Sequence, residues 1–121
     1  MNLPQLEETF REFLKDMAVY KPDDKVHAVE HNGHICIGYN QSHKNYPASI
    51  SLQLEGKVCY ILTMEVHPEL RREGVGTALY KAVELFCLQQ GITTMETTPS
   101  GQGVSFWPMM GFTAIKRIGG T

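Results

Sequence analysis

The chain has 121 residues, which suits one domain spanning 1–121, with a core of its own and no need of disulfide staples. It is 42% hydrophobic and 20% charged, and its 11 basic and 13 acidic side chains leave a net charge of −2. That balance lacks the cationic excess of a nucleic-acid binder, and no apolar run reaches the ~18 residues of a membrane span.

The opening segment MNLPQLEETF carries acids and no apolar stretch, unlike a secretory leader. Cys36, Cys59 and Cys87 are odd in number and far apart, without a C-x-x-C pair, so reduced thiols and a cytoplasmic location are expected. His27, His31, His34 and His43 fall in a strand-rich region without H-E-x-x-H spacing, and no metal is expected.

In chain order, residues 3–19 read as a helix. Leu6, Phe10, Phe13, Leu14 and Met17 recur on one face, and Pro4 sits where a first turn tolerates it. KPDD breaks the pattern. VHAVEHNGHICIGY reads as two strands around Asn32-Gly33, a pair that supplies positive φ at both positions of a tight hairpin. ASISLQLEGKVCYILTMEV is a second strand pair around Glu55-Gly56, with Ile50, Leu52 and Leu54 on one buried face. YILTMEV, richer in apolar residues, reads as the more central strand. A helix follows Gly76, striped by Val75, Ala78, Leu79, Ala82, Val83 and Phe86 and stopped near Gly91. ITTMETT is β-prone, PSGQG is a loop, VSFWPMMG holds at most a short helix broken by Pro108, and FTAIKRI is a last strand. The order implies an α+β fold with a mixed, mainly antiparallel sheet flanked by helices.

Between strand and helix lies Arg71-Arg72-Glu73-Gly74-Val75-Gly76. The first N–H groups of a helix have no intrahelical acceptor, and the helix dipole adds partial positive charge there. Such a terminus attracts phosphate. Glycines let an anion approach the bare backbone, and arginines add charge-assisted hydrogen bonds. A plainer reading makes the glycines a device of the turn alone. A Walker loop is excluded because G-x-x-x-x-G-K-[ST] is missing, and a dinucleotide fingerprint because Leu79 holds its third glycine position.

VHPELRREGVGTAL resembles the coenzyme A segment of the GNAT acetyltransferase superfamily, through Val66, Pro68, Arg71, Gly74 and Gly76. FWPMMGF, 106–112, is similar to the later F-Y-x-x-x-G-F of that family, and the resemblance covers roughly 56–116. It implies a GNAT-like acyl-CoA N-acyltransferase fold in a truncated version, with the strand before the first helix, one early helix and the final strand missing. It implies acetyl-CoA as cosubstrate and an amine acceptor, small molecule or protein. Main-chain N–H groups of Arg71, Arg72, Glu73, Gly74, Val75, Gly76 and Thr77 would cradle the pyrophosphate. The strand ending at Val66 would part from the one beginning near Ile92, and Met64, Glu65 and Val66 would pair with the pantetheine arm as an added strand does.

Two positions depart from the family pattern. Ser100 stands where an asparagine is usual, and Trp107 replaces the tyrosine that often reprotonates the thiolate. An indole N–H donates a hydrogen bond but gives up no proton near neutral pH. Candidates to activate the amine are Glu65, Glu96, Tyr60 and His67. The primary expectation is an N-acetyltransferase. The alternatives are a non-catalytic acetyl-CoA-binding regulatory module of the same fold and an unrelated phosphate-binding domain. An exposed edge of a short sheet would favour a homodimer.

Overall fold

Helix α1 (Leu3–Leu14) starts where Asn2 Oδ1 accepts the Gln5 N–H at 3.1 Å, with Pro4 in the first turn. The computed structural model describes residues 2–17, 20–42, 47–70, 73–97 and 115–119. After α1 come strands β1 (Lys25–His31), β2 (His34–Asn40), β3 (Pro47–Glu55) and β4 (Val58–Val66). A 3-10 turn (Pro68–Leu70), helix α2 (Val75–Gln89) and strands β5 (Thr94–Thr97) and β6 (Ile115–Arg117) complete the described elements. They form one six-stranded sheet in sequential order, antiparallel throughout except for the parallel β4–β5 pair. The mixed, mainly antiparallel sheet matches the expectation from sequence. The short helix expected in VSFWPMMG lies outside the described residues.

The first helix is shorter than its apolar periodicity implied, ending at Leu14 rather than at residue 19. The Met17 N–H turns back to the Leu14 carbonyl at 2.9 Å, and the Tyr20 N–H to that of Met17 at 3.1 Å. These three-residue steps are tighter than an α-helix and swing the chain toward the sheet. Met17 and Tyr20 keep their core contacts without being helical, and the Tyr20 ring lies 6.5 Å from that of Tyr39.

The first hairpin closes as its turn residues demand. Asn32 and Gly33 have φ of 52° and 82°, and His31 faces His34 across the pair. Outward from β1, Glu7 Oε2 accepts the Ala28 N–H at 2.7 Å, and Arg11 Nη2 donates to the Val26 carbonyl at 3.3 Å. Two side chains one helical turn apart thus occupy main-chain groups of β1, one edge strand of the sheet.

Both helices pack on one face of the sheet, α1 over β1 and against α2, and α2 over β3 and β4. That face supplies the core, with Phe10, Ile37, Ile50, Leu52, Leu79 and Phe86 buried. At its margin Asp24, itself 5% exposed, ties three segments together. It accepts the Tyr39 hydroxyl at 2.6 Å, the Lys21 N–H at 2.9 Å, and the Ser42 N–H and hydroxyl at 2.9 and 3.1 Å. Burial pushes the Asp24 carboxyl up, but the bonds from Tyr39, Ser42 and Lys21 together outweigh it and hold the group below its ordinary range. Strand β6 is fastened to α2 by Lys116, whose Nζ donates to the Tyr80 hydroxyl at 2.9 Å and lies 3.4 Å from Glu84 Oε2.

Candidate active site

The segment joining β4 to α2 is anchored at both ends. Leu70 and Val75 are buried, and the Leu70 N–H donates to the His67 carbonyl at 2.8 Å. His67 Nδ1 accepts the Glu69 N–H at 3.0 Å, so this imidazole caps the 3-10 turn with the nitrogen that a base would need. Gly74 is the N-cap of α2 in the left-handed region at φ 88°, and a Cβ there would lie 3.2 Å from Met17 Cε. The fold therefore explains this glycine by itself. Gly76 differs: it lies inside α2 and outside the positive-φ set, so its dihedrals do not call for glycine. A glycine within a helix costs about 1 kcal/mol relative to alanine.

Among the described residues no side chain caps α2, and the N–H groups of Val75, Gly76 and Thr77 have no acceptor. Over a helix of 15 residues the aligned peptide dipoles reinforce the positive character of this end. Arg71, Arg72, Ser100 and Trp107, expected to contribute here, lie outside the described residues.

Among the described residues, strands β4 and β5 pair over Val58–Ile61 with Thr94–Thr97. Beyond Ile61, β4 runs on to Val66 paired with β3. The fork expected from the sequence would open at this end of β4, from which the chain enters α2, and its second arm, after Thr97, lies outside the described residues. The His67 N–H donates to the Pro47 carbonyl of β3 at 2.9 Å. Alternation along an antiparallel ladder then turns the main-chain groups of Glu65 toward β3 and those of Met64 and Val66 toward the fork. Of the three residues expected to lie along a bound arm, Met64 and Val66 have the suitable main-chain direction. Glu65 offers its side chain instead.

The faces of the fork are set by a bulge. Ser51 pairs with Thr63 and Leu52 with Ile61, so Leu62 is the extra residue of β4. Unbroken alternation would place Tyr60 with Met64 and Val66 on the helix side. The bulge reverses the phase, so Tyr60, Thr63 and Glu65 share the side away from the helices. Glu96 joins them, paired in register with Tyr60 across the parallel step. Three of the four candidates to activate the amine, Tyr60, Glu65 and Glu96, thus fall on one side of β4 and β5, with Glu65 exposed and the other two half-buried. The Ser51 and Thr63 hydroxyls meet at 2.8 Å between them. The sequence offered only one hint of the bulge, the apolar doublet Ile61-Leu62 within an alternating strand.

The profile described as "Acetyltransferase (GNAT) family" matches residues 2–112. The chain belongs to the GNAT acetyltransferase family. Solved GNAT-fold structures agree with its architecture. A PaiA N-acetyltransferase from Thermoplasma acidophilum, in complex with coenzyme A, is 18% identical with a TM-score of 0.58, over 64% of this chain and 50% of that one. An IAA acetyltransferase from Bacillus cereus is 16% identical with a TM-score of 0.55, over 65% and 53%. A GNAT acetyltransferase from Staphylococcus aureus is 18% identical with a TM-score of 0.58, over 89% and 74%. The chain spans about half the length of the first two structures. No curated protein sequence matches it. Among the described residues no helix is long and apolar enough to cross a membrane, and no group of three or more His, Cys, Asp or Glu is placed to hold a metal.

Proposed function

We propose that this GNAT chain is an N-acetyltransferase that moves an acetyl group from acetyl-CoA to an amine. The observation that carries the reading is that, where the chain passes from the parallel pair into α2, the N–H groups of Val75, Gly76 and Thr77 have no acceptor among the described residues. Ligands of parallel strands gather at their carboxyl ends, where the connecting helix begins. The main-chain N–H groups from Gly74 to Thr77 hold the diphosphate, with Arg71 and Arg72 adding charge. Met64 and Val66 pair with the amides of the arm, and the thioester arrives at the base of the fork.

The amine must attack as the free base. Its nitrogen bonds to the thioester carbon, the carbonyl oxygen takes negative charge, and the C–S bond then breaks to release coenzyme A thiolate. The proton lost by nitrogen goes to a carboxylate, directly or through water, and the thiolate is reprotonated in turn. Glu65 and Glu96 are the carboxylates on the relevant side, and the Tyr60 hydroxyl stands beside Glu96. A main-chain N–H at the bulge, released from the regular ladder, is the donor suited to the oxyanion.

Coenzyme A release measured over a panel of amines tests this reading. At least one of Glu65→Gln and Glu96→Gln should lower kcat by about 100-fold at saturating acetyl-CoA, with coenzyme affinity retained. Native rates in both variants would remove the carboxylates from the reaction. Tight acetyl-CoA binding without turnover on any amine would favour the regulatory module, a reading supported by Trp107 standing where the family often has its acid.

A further inference from the structure

The tight steps that follow α1 carry the Met17 side chain to the start of α2. Met17 is half-buried and packs against the hydrophobic core, and its thioether ends at Gly74, the N-cap of α2. A Cβ built on Gly74 would lie 3.2 Å from Met17 Cε and 3.7 Å from Sδ, so a side chain from α1 occupies the place that a side chain of residue 74 would take. Glycine by itself does not hold one conformation, because left- and right-handed dihedrals cost it about the same. Among the described residues no side-chain hydrogen bond caps α2, so none fixes Gly74 at its φ of 88°. Two rigid peptide planes meet at its Cα, and they carry the N–H groups of Gly74 and Val75. The dihedrals of Gly74 therefore set how those two N–H groups are aimed relative to each other.

We infer that Met17 is a positioning residue for the coenzyme: its thioether, seated on the bare Cα of Gly74, keeps the N–H groups of Gly74 and Val75 in the orientation that grips the diphosphate. This rests on the diphosphate reading of α2. Met17 acts through Gly74 and is assigned no contact with the ligand. Removing the thioether opens space beside Gly74 and lets it sample other dihedrals, a freedom that binding must then take away at a cost in affinity. Methionine suits the task, because an unbranched, adaptable side chain can reach from the end of one helix to the backbone of another and fill an irregular gap there.

The test is calorimetric titration with acetyl-CoA of the native protein, Met17→Ala, Met17→Leu, Gly76→Val and the double variant joining Met17→Ala to Gly76→Val, with thermal melts to verify that each is folded. Met17→Ala should bind about tenfold more weakly. Met17→Leu, of similar volume, should stay within about threefold of native. A residue that only props the fold would weaken binding by the same factor in either background. Action through the α2 amides predicts otherwise: once Gly76→Val keeps the diphosphate from them, Met17→Ala should add less than about twofold. Native affinity in folded Met17→Ala, an equal loss in Met17→Leu, or a full further loss in the double variant would overturn the inference and leave the cofactor site intact. Failure of acetyl-CoA to bind folded native protein, or native affinity in Gly76→Val, would overturn the diphosphate reading and this inference with it.

Discussion

Gly76→Val should weaken acetyl-CoA binding by at least about 100-fold, about 2.8 kcal/mol, and leave the protein folded. Gly76 lies in the first turn of α2 with helical dihedrals, so a side chain there meets no conformational penalty. Helix propensity even favours the change, by a few tenths of a kcal/mol for valine and up to about 1 kcal/mol for alanine. The branched side chain would stand among the N–H groups of Val75, Gly76 and Thr77 and keep a diphosphate from reaching them. Gly76→Ala should be intermediate, with weaker binding and an equal or higher Tm. Opposite signs for stability and affinity distinguish a ligand-facing glycine from a structural one. Gly74 cannot provide this test, because its positive φ and its contact with Met17 would mix strain into the result. Calorimetric titration alongside thermal melts checks both quantities, and native affinity in Gly76→Val would detach α2 from the cofactor site.

Asp24→Ala should be the most damaging change away from the site, costing about 3 kcal/mol. Hydrogen bonds to a buried charge are worth about 1.5–3 kcal/mol each before relaxation. Four donors converge on this carboxylate from Tyr39, Lys21 and Ser42. Its loss strands the Lys21 and Ser42 N–H groups and takes the acceptor at 2.6 Å from the buried Tyr39 hydroxyl. At roughly 4 °C per kcal/mol for a chain of this size, Tm should fall by about 12 °C. The dependence on pH has a definite sign. The Asp24 carboxyl is depressed in the folded state. Its contribution is thus complete above the unfolded value near 4 and is lost as pH falls through the folded value. The gap in Tm between native and Asp24→Ala protein should therefore be widest near neutrality and narrow below about pH 4. A gap that widens in acid would mean that the charge is not what Asp24 contributes.

The parts of the fold legible in the sequence were those with a local physical cause. Asn32-Gly33 fixes a hairpin because both residues tolerate positive φ, and the stripe from Val75 to Phe86 fixes a helix because one face must be buried. The fork between β4 and β5 is expected from a family motif and not from periodicity, and its second arm lies outside the described residues. What escaped notice depends on contacts distant in sequence. The end of α1 moved from residue 19 to Leu14 because the chain must turn to bring Tyr20 against Tyr39. The bulge at Leu62 is a mismatch between two strands, so β4 alone announces it only through the Ile61-Leu62 doublet. Asp24 reads as one more charge in KPDD, and nothing local reveals that Tyr39 and Ser42 converge on it. Of the glycine pair, Gly74 answers to backbone geometry, whereas the dihedrals of Gly76 do not call for glycine.

The central proposal is that main-chain amides at the start of α2 hold a diphosphate while the main chain of Met64 and Val66 in β4 holds the arm attached to it. Residue-resolved amide chemical shifts, followed during titration with acetyl-CoA, test it most directly. The account predicts the largest shifts at Gly74, Val75, Gly76 and Thr77 and at Met64 and Val66, with Glu65, whose amide faces β3, moving less. Saturable shifts centred elsewhere, on the β1–β2 hairpin or the outer face of α2, would contradict it, as would no shift at all in folded protein.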